Sequence, residues 1–163
     1  MSRRRVHPGF TLIELVLVLM LLALLLAAAA PSLGGWSRGQ KLENTAERLL
    51  SASRWARSAA IARAVPHRLE IDPMNALYRV TCLEGETWVP VTGEQGRDTL
   101  LPPGLDFELL RQDGAMVDAI DFHPNGRISP ATLTLTAEWG EVVTLEAAGA
   151  ADTLRRVTAG NDL

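Results

Sequence analysis

The chain has little of what catalysis or metal binding needs. A single cysteine, Cys82, rules out an intrachain disulfide and reads as a small buried hydrophobe in a strand-like stretch. The histidines His7, His67 and His123 are dispersed and match no metal-ligand spacing. There is no His-Glu-x-x-His, no glycine pattern suited to a phosphate loop and no nucleophile elbow. These absences argue against an enzyme and leave no cofactor or metal to expect. Charge is scarce in the N-terminal segment too, where Glu14 is the only charged residue between Arg5 and Arg38.

The chain does carry a long apolar run. From Phe10 to Ala30 the run is about 21 residues, which at about 1.5 Å of rise per residue reaches roughly 30 Å, the thickness of a bilayer core. Arg3, Arg4 and Arg5 precede it without an acidic residue, so the positive-inside bias leaves the N-terminus cytoplasmic and exports the chain beyond Ala30. A secretory signal peptide cut near Pro31 is the competing reading of the same basic and apolar regions. Against it stand the length of the apolar region, the charge near its start and a proline directly after the small residues. Glu14 would have no purpose in a signal peptide. Within hydrocarbon an ionised carboxylate costs about 2.5–3.5 kcal/mol even on the lenient insertion scale, so something must compensate it.

Gly9-Phe10-Thr11-Leu12-Ile13-Glu14-Leu15, behind the arginine cluster, resembles the N-terminus of the type IV pilin and pseudopilin superfamily. The resemblance implies that residues 1–9 are a leader, that a prepilin peptidase cuts between Gly9 and Phe10, and that the new amine on Phe10 is N-methylated. Cleavage then creates a cation in an apolar setting, four residues from Glu14. Pairing of that amine with Glu14 of a neighbouring subunit would fix one helical stagger in a filament, since removing one member of a buried pair typically costs about 3–5 kcal/mol. The bland alternative is a glutamate that snorkels to the interface from one turn inside the span.

After residues 10–30, Pro31, Gly34 and Gly35 predict a break or loosening of the helix, either a weak point that lets the globular part change angle or a plain linker. Within 31–64 apolar residues return at helical spacing: Leu42, Ala46, Leu49, Leu50, Ser53, Ala56, Ala60 and Ile61. That spacing predicts an amphipathic helix with a small-residue stripe, Trp55 at its edge, and Arg48, Arg54, Arg57 and Arg63 on a solvated face. Residues 65–163 switch to short alternating runs: 68–71, 77–82, 87–91, 105–110, 117–122, 132–138, 141–146 and 153–157. They read as an antiparallel meander with turns at 72–75, 84–86 and 139–140. Roughly 95 residues beyond the helix suffice for one small core. The fold class is α+β and pilin-like: a long N-terminal helix, transmembrane and then amphipathic, packed on an antiparallel β-sheet domain.

Residues 46–64, with Ala56-Arg57-Ser58-Ala59-Ala60-Ile61, look like the helix of the GspH/FimT group. Phe122-His123-Pro124-Asn125-Gly126-Arg127 is similar to a turn of that group, and its chemistry alone is that of a tight turn after a strand. Charge separates the group's branches. The net charge of −3 divides into +3 on the leader, −1 at Glu14, +5 over residues 38–68 and −10 over residues 69–163, so loss of the leader leaves −6. DNA binding needs clustered Lys and Arg, and the acidic sheet region argues against it. Arg155-Arg156, the one basic pair in the tail, is flanked by Asp152 and Asp162 and reads as a solvated strand end.

The resemblance therefore implies a minor pseudopilin of a type II secretion system, at or near the tip of a periplasmic pseudopilus. It would be a single-pass inner-membrane protein anchored by residues 10–30, with a cytoplasmic N-terminus and a periplasmic globular domain. Its implied partners are other major and minor pseudopilins, the prepilin peptidase, the inner-membrane secretion platform and secreted cargo. The alternative is a FimT-like minor type IV pilin for pilus assembly or DNA uptake, and a free periplasmic binding protein is a third class.

Overall fold

Period decides the elements: apolar spacing of three and four residues yields one helix, and alternation yields the strands. The structure, a computed structural model, describes residues 11–149 and 153–157, with side chains throughout these except those of 27–38. The chain divides into two compact units, residues 1–38 and 39–163. The helix α1 spans Leu12–Arg63. Within the second unit it buries Leu42, Ala46, Leu49, Leu50, Ala52, Ala56 and Ala60. Alanines on this face let the helix backbone approach the sheets closely. Two hydroxyls on the same face are satisfied within the helix, since Thr45 Oγ1 donates to the Lys41 carbonyl and Ser53 Oγ to the Leu50 carbonyl, both at 2.8 Å. Buried polar groups without such partners would be destabilising.

Two expectations for this helix need correcting. Helical backbone continues through Pro31, Gly34 and Gly35, so the helix does not end there and residues 31–64 do not hold a separate one. A proline removes one donor and a glycine costs about 1 kcal/mol, and both leave the bonds of adjacent turns in place. Ile61 lies on the exposed side at 49 % of its surface, because the buried stripe drifts to Ala60 at the last turn. The helix stops at Ala64, which has a left-handed φ of 54° and donates its N–H to the Ile61 carbonyl at 3.4 Å. Pro66 comes two residues later, a common sequel to such a cap.

Nine strands are described: β1 His67–Asp72, β2 Leu77–Glu84, β3 Thr87–Pro90, β4 Thr99–Leu100, β5 Leu105–Arg111, β6 Ala119–Phe122, β7 Ala131–Ala137, β8 Val142–Ala147 and β9 Arg155–Val157. They form two sheets rather than the single meander expected. One runs β3-β2-β1-β6, with β4 also paired to β2; the other runs β5-β7-β8-β9. Every pairing is antiparallel. The departure from a meander comes at β5 and β6, which are consecutive yet belong to different sheets, β6 returning to pair with β1.

Alternation assigns each face. In the first sheet Leu69, Ile71, Val80, Ile120 and Phe122 point inward; in the second Phe107, Leu109, Leu133, Leu135, Val143 and Leu145 do. These faces and the buried stripe of α1 form one apolar core, with Trp55 packed at its edge. The Asp72–Ala76 turn closes β1 to β2: Asn75 donates its backbone N–H and its side-chain amide to the Asp72 carboxylate at 3.0 and 2.7 Å. Those bonds hold the exposed Asp72 carboxyl below its usual pKa.

Candidate assembly site

The site expected from the sequence lies at the start of α1. Gly9 and Phe10, with the leader 1–9 and His7, fall outside the described residues. Thr11 immediately precedes the helix, and Glu14 occupies its first turn. The Glu14 N–H meets the Thr11 carbonyl at 3.1 Å and the Thr11 hydroxyl, a longer contact, at 3.4 Å. Thr11-x-x-Glu14 is the pattern of a capping box, a signal in the sequence that attention to charge alone passes over. It supplies a local reason for an acid here, since carboxylates are stabilised near the positive end of a helix dipole. That effect is worth about 0.3–1 kcal/mol, less than the roughly 2.5–3.5 kcal/mol cost of placing the charge in hydrocarbon. The cap and the dipole therefore offset only part of that cost.

On both sides of Glu14 the large apolar side chains from Leu12 to Leu26 are all exposed, from 41 % at Val18 to 81 % at Leu12. They lie all round the helix, so lipid or other apolar helices must cover them. Among the described residues no helix is long and apolar enough to cross a membrane. The described side chains of this run are the sixteen of 11–26, fewer than the roughly 20 that a span requires.

The second sequence motif packs against α1. Gly126 donates its N–H to the His123 carbonyl at 2.9 Å, closing a turn over Pro124 and Asn125, and the His123 N–H donates to the Arg127 carbonyl at 2.9 Å. Within the turn Gly126 takes a left-handed φ of 81°. Arg57 Nε donates to the Gly126 carbonyl at 2.9 Å, and a Cβ on Gly126 would sit 3.4 Å from Ile61 Cδ1. The turn is thus a clasp between sheet and helix, and Arg57, expected on a solvated face, is half-buried in it.

The other titratable residues are placed apart. His67 is fully buried with Nδ1 2.8 Å from the Val65 carbonyl, its ring edge-on to Trp55 at 6.1 Å, and Nε2 without a hydrogen-bond partner. Cys82 is buried opposite it in the β1–β2 register, and burial pushes its thiol pKa up, making it a poor nucleophile. His123 is exposed. Among the described residues no cluster of three or more His, Cys, Asp or Glu could hold a metal ion. Arg156 of β9 pairs with Glu43 of α1, while Arg155 lies across from Glu146 on β8. Nothing in the sequence signals the Arg156 pairing, which joins residues far apart in the chain. Nor does it mark Arg68, which lies over the Trp88 ring at 4.1 Å and bonds Asp121 at 2.7 Å.

An exposed apolar helix headed by one acid, continuing into a helix packed on antiparallel sheets, defines a pilin-like subunit. The family model for the type II transport protein GspH matches residues 45–158, and that for the prokaryotic N-terminal methylation motif matches residues 4–30. The chain belongs to the GspH family. It is 31 % identical over 143 residues to the type II secretion system protein H of Xanthomonas campestris pv. campestris, covering 83 % of this chain and 77 % of that protein. Its fold is similar to that of the minor pseudopilin EpsH from the type II secretion system of Vibrio cholerae, at a TM-score of 0.65 and 16 % identity, covering 76 % of this chain and 99 % of that one. It is also similar to the type IV minor pilin FimU of Pseudomonas aeruginosa, at a TM-score of 0.57 and 14 % identity, covering 76 % and 92 %. At such identities the two likenesses speak to fold alone.

Proposed function

We infer that this protein is a minor pseudopilin of a type II secretion system, a structural subunit that works by assembly and not by catalysis. The observation that supports this most is the joining, in one chain, of a methylation-type N-terminus at residues 4–30 to a GspH domain at residues 45–158. A prepilin peptidase removes residues 1–9, and Phe10 becomes the methylated N-terminus. Residues 10–30 hold the chain in the inner membrane, leaving the domain from Gly39 onward in the periplasm. During assembly that helix moves from lipid into a bundle of like helices at or near the pseudopilus tip. Trading lipid tails for apolar side chains gains little, so packing and the pairing of Glu14 with a neighbour's amine direct the step. Pro31, Gly34 and Gly35 make the helix easier to bend at the membrane boundary.

Mass spectrometry of the protein isolated from membranes tests the processing. The reading expects a chain that begins with methylated Phe10; a terminus near Pro31 would overturn it in favour of a freed periplasmic protein. Deletion of the gene should stop export of secreted proteins while leaving their synthesis intact. The rival reading, a DNA-binding minor pilin, needs free basic groups in the tail. Arg156 is paired with Glu43, and the domain's second part is strongly acidic. A salt-sensitive DNA affinity lost on replacing Arg155 and Arg156 would favour that rival.

A further inference from the structure

The second sheet ends in a strand whose outer edge is half used. β5 pairs with β7 along its whole length, and its other edge is closed towards both ends: Val117 donates to the Leu109 carbonyl at 3.1 Å and Arg111 to the Ala115 carbonyl at 2.8 Å, while the Leu105 N–H donates to the Pro102 carbonyl at 3.3 Å, which leaves the stretch around Phe107 between them. Antiparallel alternation puts the Phe107 backbone groups on that same outer side. No described strand pairs there. The Phe107 N–H is instead taken by the carboxylate of Asp106, at 2.7 Å, a side chain standing where a neighbouring strand's carbonyl would be.

A groove runs beside this open stretch. It consists of two depressions of about 470 and 480 Å³ that share Pro73, Asp106 and Thr136. Met74 and Met116, exposed at 94 % and 72 %, border it. Its rim carries Asp106, Glu108 and Glu138, and neither depression is lined by a lysine or arginine. An open strand edge offers main-chain hydrogen bonds, pliant methionines accept apolar side chains of varied shape, and an acidic rim selects cations.

We propose that the β5 edge at Asp106–Glu108 is a docking slot for an extended segment of another protein, carrying alternating basic and apolar side chains. The segment adds as a further strand to the sheet, its apolar side chains between Met74 and Met116 and its cations against Glu108 and Glu138. Its carbonyl replaces Asp106 on the Phe107 N–H, and the released carboxylate turns to a cation of the segment. A second copy of this chain is a poor occupant: its sheet region carries −10, and its one basic extended stretch, β9, is already paired with β8 and joined to Glu43 through Arg156. This goes beyond the pseudopilin reading and does not depend on it.

The test uses the full chain in detergent and a fluorescent synthetic hexapeptide of alternating lysine and valine, with binding read by anisotropy. The slot predicts binding that is at least about tenfold weaker for a glutamate-valine peptide, and lost when the hexapeptide's alternate amides are N-methylated. The double substitution Glu108→Gln/Glu138→Gln should weaken the lysine peptide about three- to tenfold and flatten its salt dependence, with the circular dichroism spectrum unchanged. No binding at millimolar peptide would overturn the proposal. So would equal affinity for the two peptides, indifference to N-methylation or to the double substitution, or self-association of the chain through this edge. None of these results touches the filament reading, since no filament is present in the assay.

Discussion

The first four turns of α1 and the domain at its far end treat apolar residues in opposite ways. In the domain the large apolar side chains of both sheets turn inward onto one helix face, and leucines such as Leu133, Leu135 and Leu145 lose all contact with water. From Leu12 to Leu26 the same residue types are exposed on every side, with a single carboxylate among them. A hydrophobic run can therefore be a core within one chain or a demand for other molecules. The distinction lies in whether polar residues alternate with it at a period that gives one dry face.

Core substitutions should separate the regions most sharply. Leu133→Ala is expected to destabilise the domain by about 2–5 kcal/mol, whereas Leu17→Ala in the exposed run should leave its stability within roughly 0.5 kcal/mol. Urea unfolding followed through the tryptophans measures both; similar losses from the two would mean the regions do not differ as described.

The clasp between sheet and helix comes next. Gly126→Ala forces a left-handed residue with a Cβ against Ile61 and should cost about 1–2 kcal/mol by the same measurement. Arg57→Ala should cost about 1 kcal/mol through loss of its bond to the Gly126 carbonyl. Ala64→Gly should act in the other direction, raising stability by roughly 0.5–1 kcal/mol, because the helix ends on an alanine held at positive φ. Within the domain a small effect is also expected of Arg156→Ala, whose partly exposed pair with Glu43 should be worth no more than about 1 kcal/mol.

Legibility in the sequence depends on the range of the interaction. Strand positions such as 77–82 and 105–110 come within two residues of β2 and β5, because alternation is local. The division into two sheets was not legible, since it depends on β6 crossing back to β1 through pairs such as Leu69 with Ile120. β4 was missed because two residues are too few to show a period, and it exists through its pairing with Leu77 and Tyr78. Arg57 and Arg156 looked like solvated charges for the same reason: their partners Gly126 and Glu43 lie far off in sequence. At the assembly site charge alone marks Glu14 as the unusual residue but hides its local cap by Thr11. The cap and the dipole account for only part of the cost of a carboxylate in lipid.

In the proposed assembly, a neighbour's cation supplies the remainder. Cells producing Glu14→Ala and Glu14→Gln variants can be assayed for co-purification of the subunit with other pseudopilins and for protein export. If the carboxylate meets a neighbour's terminal amine, both variants are processed to Phe10 yet fail to incorporate, the neutral glutamine included. Incorporation and export at the natural level by either variant would contradict the account.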